Sequence, residues 1–328
     1  MALFFRKPKN KEIWKDHDNV SRETAIRVPP GARRAAFDRA DDDWSTEDEY
    51  GTEYAGDPAI PTLPRPVSPR VFVVVNQKGG VGKTTTTVNI ATSLALGGLN
   101  VLVIDIDPQG NASTALAVDH NQDTPGTYEV LLEGTPIAEV VTQSPHASTL
   151  HVVPATLNLA TAELELVAES GREVRLKRAL AAYLEESAAD YVFIDCPPSL
   201  GLLTLNALVA GNEILVPIQT EYYALEGVSQ LVRTINKVKG NLNDTLQLTT
   251  VLLTMYDGRN NLAHEVAREV RGHFPTETLE VEIPRSVRVA EAPSYGQSVI
   301  TYQPKSPGAI AYLQAAEEIA RAAHIEED

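Results

Sequence analysis

From residue 71 onward, short unbroken apolar runs alternate with longer mixed stretches. Val71-Phe72-Val73-Val74-Val75 is one such run, Val101-Leu102-Val103-Ile104 another and Tyr191-Val192-Phe193-Ile194 a third. A strand that is apolar at every position is buried on both faces, as in a parallel sheet covered by helices on each side. The pattern predicts an α/β fold, doubly wound, with a mostly parallel sheet flanked by helices, in one domain over residues 71–328. With 43% hydrophobic residues over 328 positions, the chain can bury one sizeable core.

Residues 1–70 follow a different pattern. Residues 1–37 carry nine Lys or Arg against four acids, residues 38–57 carry nine acids against Arg39 alone, and Pro58 to Pro69 is rich in proline. Segregated charge with few apolar anchors predicts a disordered extension. Its basic part could touch DNA or anionic lipid, and its acidic part could fold back and silence it.

Three strand ends carry chemistry. The first strand runs into Asn76-Gln77-Lys78-Gly79-Gly80-Val81-Gly82-Lys83-Thr84-Thr85-Thr86-Thr87, a glycine-rich turn opening a helix. Such a turn aims backbone N–H groups inward as an anion nest, and the helix adds the positive end of its dipole. The strict phosphate-loop pattern wants Gly six positions before its lysine, where Gln77 stands. Lys83 is then predicted along the outer phosphates and the Thr84 hydroxyl on Mg²⁺. A second lysine, Lys78, sits inside the loop, and two lysines exceed what one triphosphate needs from its own chain.

The second strand ends Asp105-Ile106-Asp107-Pro108-Gln109-Gly110-Asn111. Alternation sends both acids to the same side of the strand, at the carboxyl end where ligands of open α/β sheets bind. Asp107 is the better candidate for orienting water, while Asp105 could equally be a hydrogen-bonded strand-end residue. The third strand ends Asp195-Cys196-Pro197-Pro198-Ser199-Leu200-Gly201, which reads as a Walker B strand with Asp195 reaching Mg²⁺ through a water. Cys196, the single cysteine, excludes an intramolecular disulfide and leaves no ligand set for an iron–sulfur cluster.

Taken with the later stretches ILVPIQTEYYALEG, LTMYDGRNNLAHEV and IPRSVRVAEAPSYGQSV, these segments resemble the deviant Walker A ATPases, and within them the ParA/Soj partition proteins, over about residues 71–325. The resemblance implies a P-loop NTPase fold and an ATPase, with ATP and Mg²⁺ as cofactors. Lys78, Gly79, Gly80, Val81, Gly82, Lys83, Thr84 and Thr85 would hold the nucleotide, together with Pro108, Gln109 and Asn111. Asp107 would be needed for hydrolysis, making it catalytic with Lys78 and Lys83. Thr84 and Asp195 would hold the metal, and Met255, Pro284 and Ser286 would lie near adenine. It also implies that Lys78 crosses to a partner's nucleotide, so that two ATP molecules are sandwiched in a homodimer.

For this family the resemblance implies nonspecific DNA binding by the ATP dimer through Arg259 and Arg288, and stimulation by a ParB-like centromere-binding partner. Leu205–Ala210 and Glu221-Tyr222-Tyr223 offer helix surface for that partner. A net charge of −16 opposes DNA binding unless cations are gathered locally, and only Lys305 is basic between Gly296 and Pro307. Arg288 could instead pair with Glu291, and Arg259 with Asp257. The runner-up is a MinD-like or cargo-positioning ATPase that uses the same switch without DNA. Against a membrane role, no apolar run approaches the roughly 18 residues of a span, and the last helix carries Glu317 and Glu318 on its polar face. The expectation is a cytoplasmic, nucleoid-associated protein with no stable membrane association. A tyrosine kinase with a similar loop would need a clustered tyrosine tail, which is lacking: Tyr295, Tyr302 and Tyr312 are scattered.

Overall fold

The computed structural model describes residues 60–221 and 224–325. Eight strands form one sheet: β1 Arg70–Val74, β2 Val101–Asp105, β3 Thr142–Gln143, β4 Leu150–Val153, β5 Tyr191–Asp195, β6 Glu213–Gln219, β7 Gln247–Tyr256 and β8 Thr278–Pro284. Their spatial order is β3-β4-β2-β5-β1-β6-β7-β8. Every pairing is parallel except the two-residue β3 against β4. β1 thus lies in the middle, with β5 on one side and β6 on the other.

Alternation along β1 divides the core in two. Val71 and Val73 join one buried cluster, and Phe72 and Val74 join the other, so the all-apolar run reflects helices on both faces. On the second face Phe72, Phe193 and Tyr191 stack across neighbouring strands, Phe72 and Phe193 with ring centroids 5.3 Å apart. The helix Lys83–Leu96 packs on that face, and Pro307–Ile325 packs on it and on β8. The terminal helix buries Ala309, Tyr312, Ala315, Ala316 and Ile319 in the body of the fold. Among the described residues no helix is long and apolar enough to cross a membrane.

Two expectations are corrected. The charged extension was placed through residue 70, yet packing begins at Leu63, which is only 8% exposed. Its N–H donates to the Gly97 carbonyl at 3.0 Å, and Arg65 pairs with Asp190 at 2.6 Å. Gly97 permits this, since a Cβ there would stand 2.6 Å from Leu63 Cδ1. The rest of the extension, residues 1–59, lies outside the described residues. The second correction concerns Leu205–Ala210, offered above as partner surface. The helix Leu202–Ala210 buries Leu203, Asn206, Ala207, Leu208 and Val209 against the sheet, because it is apolar nearly all round. Tyr222 and Tyr223 lie outside the described residues.

Candidate nucleotide site

β1 hands over to the loop through Asn76, which is buried. Its Nδ2 donates to the Pro217 carbonyl on β6 at 2.8 Å, and its Oδ1 accepts from the Lys78 N–H at 3.1 Å, an Asx turn that starts the loop. Gly80 and Gly82 then take left-handed φ values of 75° and 89°, which a side chain would oppose. Where a Cβ would stand on Gly79 or Gly80 there is no atom within 4 Å, so the loop backbone faces open space. From below, the Thr254 hydroxyl of β7 donates to the Val81 carbonyl at 2.9 Å and pins the loop to the sheet. The Gln77 Nε2 amide is buried in this loop without a partner, an unmatched donor.

Lys83 opens the helix and is 7% exposed. Its Nζ lies 3.4 Å from the Lys78 carbonyl, and burial lowers its pKa below the usual lysine value, opposed by the charge of Asp195. A buried ammonium at the head of a helix calls for an anion. One residue on, the Thr84 hydroxyl donates to Asp195 Oδ2 at 2.7 Å, and Thr87 donates to Oδ1 at 2.9 Å. Burial holds Asp195 above the ordinary carboxylate range, while the two hydroxyls pull it back down. Cys196 beside it is a buried thiol pushed well up by the same desolvation, a packing residue and no nucleophile.

The two acids of the second strand part company. Asp105 is fully buried and accepts from the Ser113 N–H at 2.9 Å and the Ser113 hydroxyl at 2.7 Å, so it organises the turn below the cleft. Burial and neighbouring Asp195 raise its pKa. β2 ends at Asp105, so strand alternation no longer governs Asp107. Asp107 Oδ1 accepts from the Gln109 N–H at 3.0 Å, and the residue lines the cleft.

That cleft, about 540 Å³, gathers Gly79, Gly80, Gly82, Lys83, Thr84, Thr85, Asp107, Gln109, Asn111 and Met255, with Pro198 added. Val81 points down into the core, 1% exposed, and Pro108 stands half-buried in the turn behind. Pro284 and Ser286 do not line the cleft. Pro284 pairs with Tyr256 across β7 and β8, one residue from Met255. Met255 itself holds a φ of 52°, a costly conformation for a side chain of its size at the rim of a site. A larger hollow of about 780 Å³ lies elsewhere, walled by Ile137, Ala179 and Tyr183, and none of the predicted site residues lines it.

Lys78 also stands outside the cleft lining. Its Nζ donates to Glu221 Oε2 at 2.6 Å, with the two side chains 41% and 48% exposed. Arg259 pairs with Asp257 at 3.1 Å and Arg288 with Glu291 at 2.7 Å, so each candidate DNA-binding arginine lies against a nearby acid. Sequence reasoning missed Thr87, Pro198, Thr254 and Glu221 as site residues. All four stood in segments already singled out, but none carried a local signal for its contact.

A lysine buried under a left-handed glycine turn, facing space for an anion and backed by a threonine–aspartate clasp, is the arrangement of P-loop nucleoside triphosphatases. The AAA domain family model AAA_31 matches residues 69–248. The chain is 50% identical over 250 residues to the chromosome partitioning protein ParA of Myxococcus xanthus, which is 76% of this chain and 87% of that one. To the sporulation initiation inhibitor protein Soj of Bacillus subtilis it is 47% identical over 251 residues, 76% of this chain and 98% of the relative. Among solved structures, Pyrococcus furiosus cell division ATPase MinD superposes with a TM-score of 0.64 at 26% identity, covering 77% of this chain and 99% of that one. Cobyrinic acid a,c-diamide synthase from Mycobacterium smegmatis, with bound ADP and magnesium, reaches 0.68 at 37% identity over 79% and 96%. This chain belongs to the ParA/Soj family of chromosome-partitioning ATPases.

Proposed function

We propose that the protein is an Mg²⁺-dependent ATPase whose ATP-bound form is a sandwich dimer that holds nonspecific DNA and is released by hydrolysis, driving chromosome segregation. The observation that carries this reading is the contrast between the two loop lysines. Lys83 is buried at the cleft, whereas Lys78 stands outside its lining, half exposed and paired with Glu221.

The donor set fits the cofactor. Loop N–H groups and Lys83 would bind the phosphates, and the Thr84 hydroxyl backed by Asp195 would hold the metal, a site that needs few protein ligands. The chemistry bound Mg²⁺–ATP supplies is a phosphoanhydride with part of its charge already neutralised. The chain's own residues do the rest. Asp107, oriented by the Gln109 N–H, positions water against the terminal phosphate, and Asp195 keeps Thr84 aimed at the metal. Lys78 of the opposite subunit adds a cation where charge builds, as an arginine finger does. Binding energy spent across the interface makes association follow nucleotide state, and loss of the terminal phosphate removes the reason to pair.

Slow turnover without a stimulator, a ParB-like partner that accelerates it, and residence on the nucleoid complete the proposal. Burial of the helix Pro307–Ile325 against Lys83–Leu96 and β8 favours DNA over a membrane as the dimer's surface, since among the described side chains that helix shows no spare apolar face. The test is Asp107→Ala, which should slow hydrolysis and trap an ATP-dependent dimer that binds arbitrary DNA with affinity falling as salt rises. A trapped dimer that ignores DNA at low salt would favour a MinD-like or cargo-positioning ATPase.

A further inference from the structure

The face that carries Arg288 also carries an aromatic pair. The turn Ala292–Tyr295 ends at Gly296 in a left-handed conformation, with φ 64°, and Ser298 caps the short helix Val299–Tyr302 through its hydroxyl. This reversal lays Tyr295 on Tyr302, ring centroids 4.9 Å apart and planes 18° apart. Tyr302 is half-buried against the core and donates to Glu291 Oε1 at 3.4 Å, the oxygen that also accepts from Arg288 at 2.7 Å. Tyr295 is the outer ring, 60% exposed, and Val287 on the same segment is 62% exposed.

A ring stacked on a seated ring has already lost its rotamer freedom, so contact with a ligand costs little further ordering. Three arginines stand on this side of the sequence, Arg259, Arg285 and Arg288; the first and last share their charge with an acid, and the whole chain is net negative. Counterion release from so few cations yields a shallow salt dependence and modest affinity. A phenol that donates to a phosphate oxygen while its ring lies against a sugar adds affinity without releasing any ion.

We propose that Tyr295, stacked on Tyr302, is a DNA-backbone contact of the ATP dimer that supplies the salt-independent part of its affinity. This deepens the DNA-binding reading above and rests on it. The two are separated by one titration. The full chain is bound to Mg²⁺ and a nonhydrolysable ATP analogue, and its affinity for a short duplex of arbitrary sequence is read by anisotropy between about 50 and 200 mM KCl.

Tyr295→Ala should weaken binding about fivefold at every salt concentration, leaving the slope of log K against log salt unchanged. Arg288→Ala should flatten that slope by about one unit for each subunit that contacts the duplex. Tyr295→Phe keeps the stack and should fall between the parent and Tyr295→Ala, which covers the case of an alanine variant that folds poorly. Parent-like affinity in both Tyr295 variants overturns the assignment. So does normal DNA binding in Tyr295→Ala together with lost stimulation by a protein partner, which would give the ridge to that partner. A parent that binds no duplex at low salt overturns the DNA reading itself.

Discussion

The Lys78 ammonium lies 2.6 Å from the Glu221 carboxylate of its own chain, across 143 residues of sequence. Both side chains are exposed by two-fifths or more, so the pair is a weak one. A triphosphate from a second subunit, carrying more charge in a drier interface, would outcompete it. In the proposed dimer, Glu221 would park the lysine until a partner's nucleotide takes it over. Glu221→Gln should lower the ATP concentration at half-maximal dimerisation by about two- to fivefold, the worth of an exposed ion pair. Sedimentation velocity over an ATP titration checks this, and an unchanged midpoint would show that the contact plays no part in the switch.

A Thr84 variant tests both its bond to Asp195 and its proposed contact with Mg²⁺. Thr84→Ala strips Asp195 Oδ2 of its donor in a fully buried position, which should cost about 1–2 kcal/mol in the ligand-free protein. The loss should grow with pH. Asp195 is held above its unfolded value by burial, so its contribution is present at low pH and lost as pH rises through the native value. Without the Thr84 hydroxyl that value rises further, and the deficit in thermal unfolding should widen from about pH 5 to about pH 8. Calorimetry would also show that Mg²⁺ no longer adds to the stabilisation given by ATP.

Glu291 accepts from Arg288 at 2.7 Å and stands on the proposed DNA face. Glu291→Gln removes a negative charge there and leaves Arg288 in place. Duplex affinity at low salt should rise about threefold, with a steeper salt dependence, because more of the arginine's charge meets phosphate. Equal affinity in the two proteins would place Arg288 away from DNA.

Leu63 and Arg65 set the start of the packed chain. A truncation that begins at Ile60 keeps both, whereas one that begins at Arg70 loses a buried leucine and the Asp190 pair but keeps the Arg70–Glu213 ion pair. The shorter protein should be less stable by about 2–4 kcal/mol, most of it from Leu63. Chemical denaturation of the two truncations measures the difference.

Much of the site could be read from the chain because its parts are local. The strand, glycine turn, Lys83 and Thr84 are contiguous, and apolar runs ending in Asp105 or Asp195 mark the carboxyl ends of strands. Contacts set only by topology were not legible. Glu221 meets Lys78, and Thr254 meets Val81, because β6 and β7 follow β1 across the sheet, an order that no local pattern encodes. Leu63 was hidden among prolines, where composition argued for disorder and a single slot over Gly97 decided otherwise. Asp105 and Asp107 were put on one side by strand alternation, but β2 stops at Asp105 and the following turn redirects Asp107.

The switch itself is decided by Lys78→Ala, followed by sedimentation with saturating Mg²⁺–ATP and by steady-state turnover. Lys83 and the Thr84–Asp195 clasp remain in this variant, so each subunit should still bind ATP. The expected result is a monomer at ATP concentrations that dimerise the parent, with hydrolysis near background. A variant that pairs and hydrolyses ATP as the parent does would contradict a lysine acting across the interface.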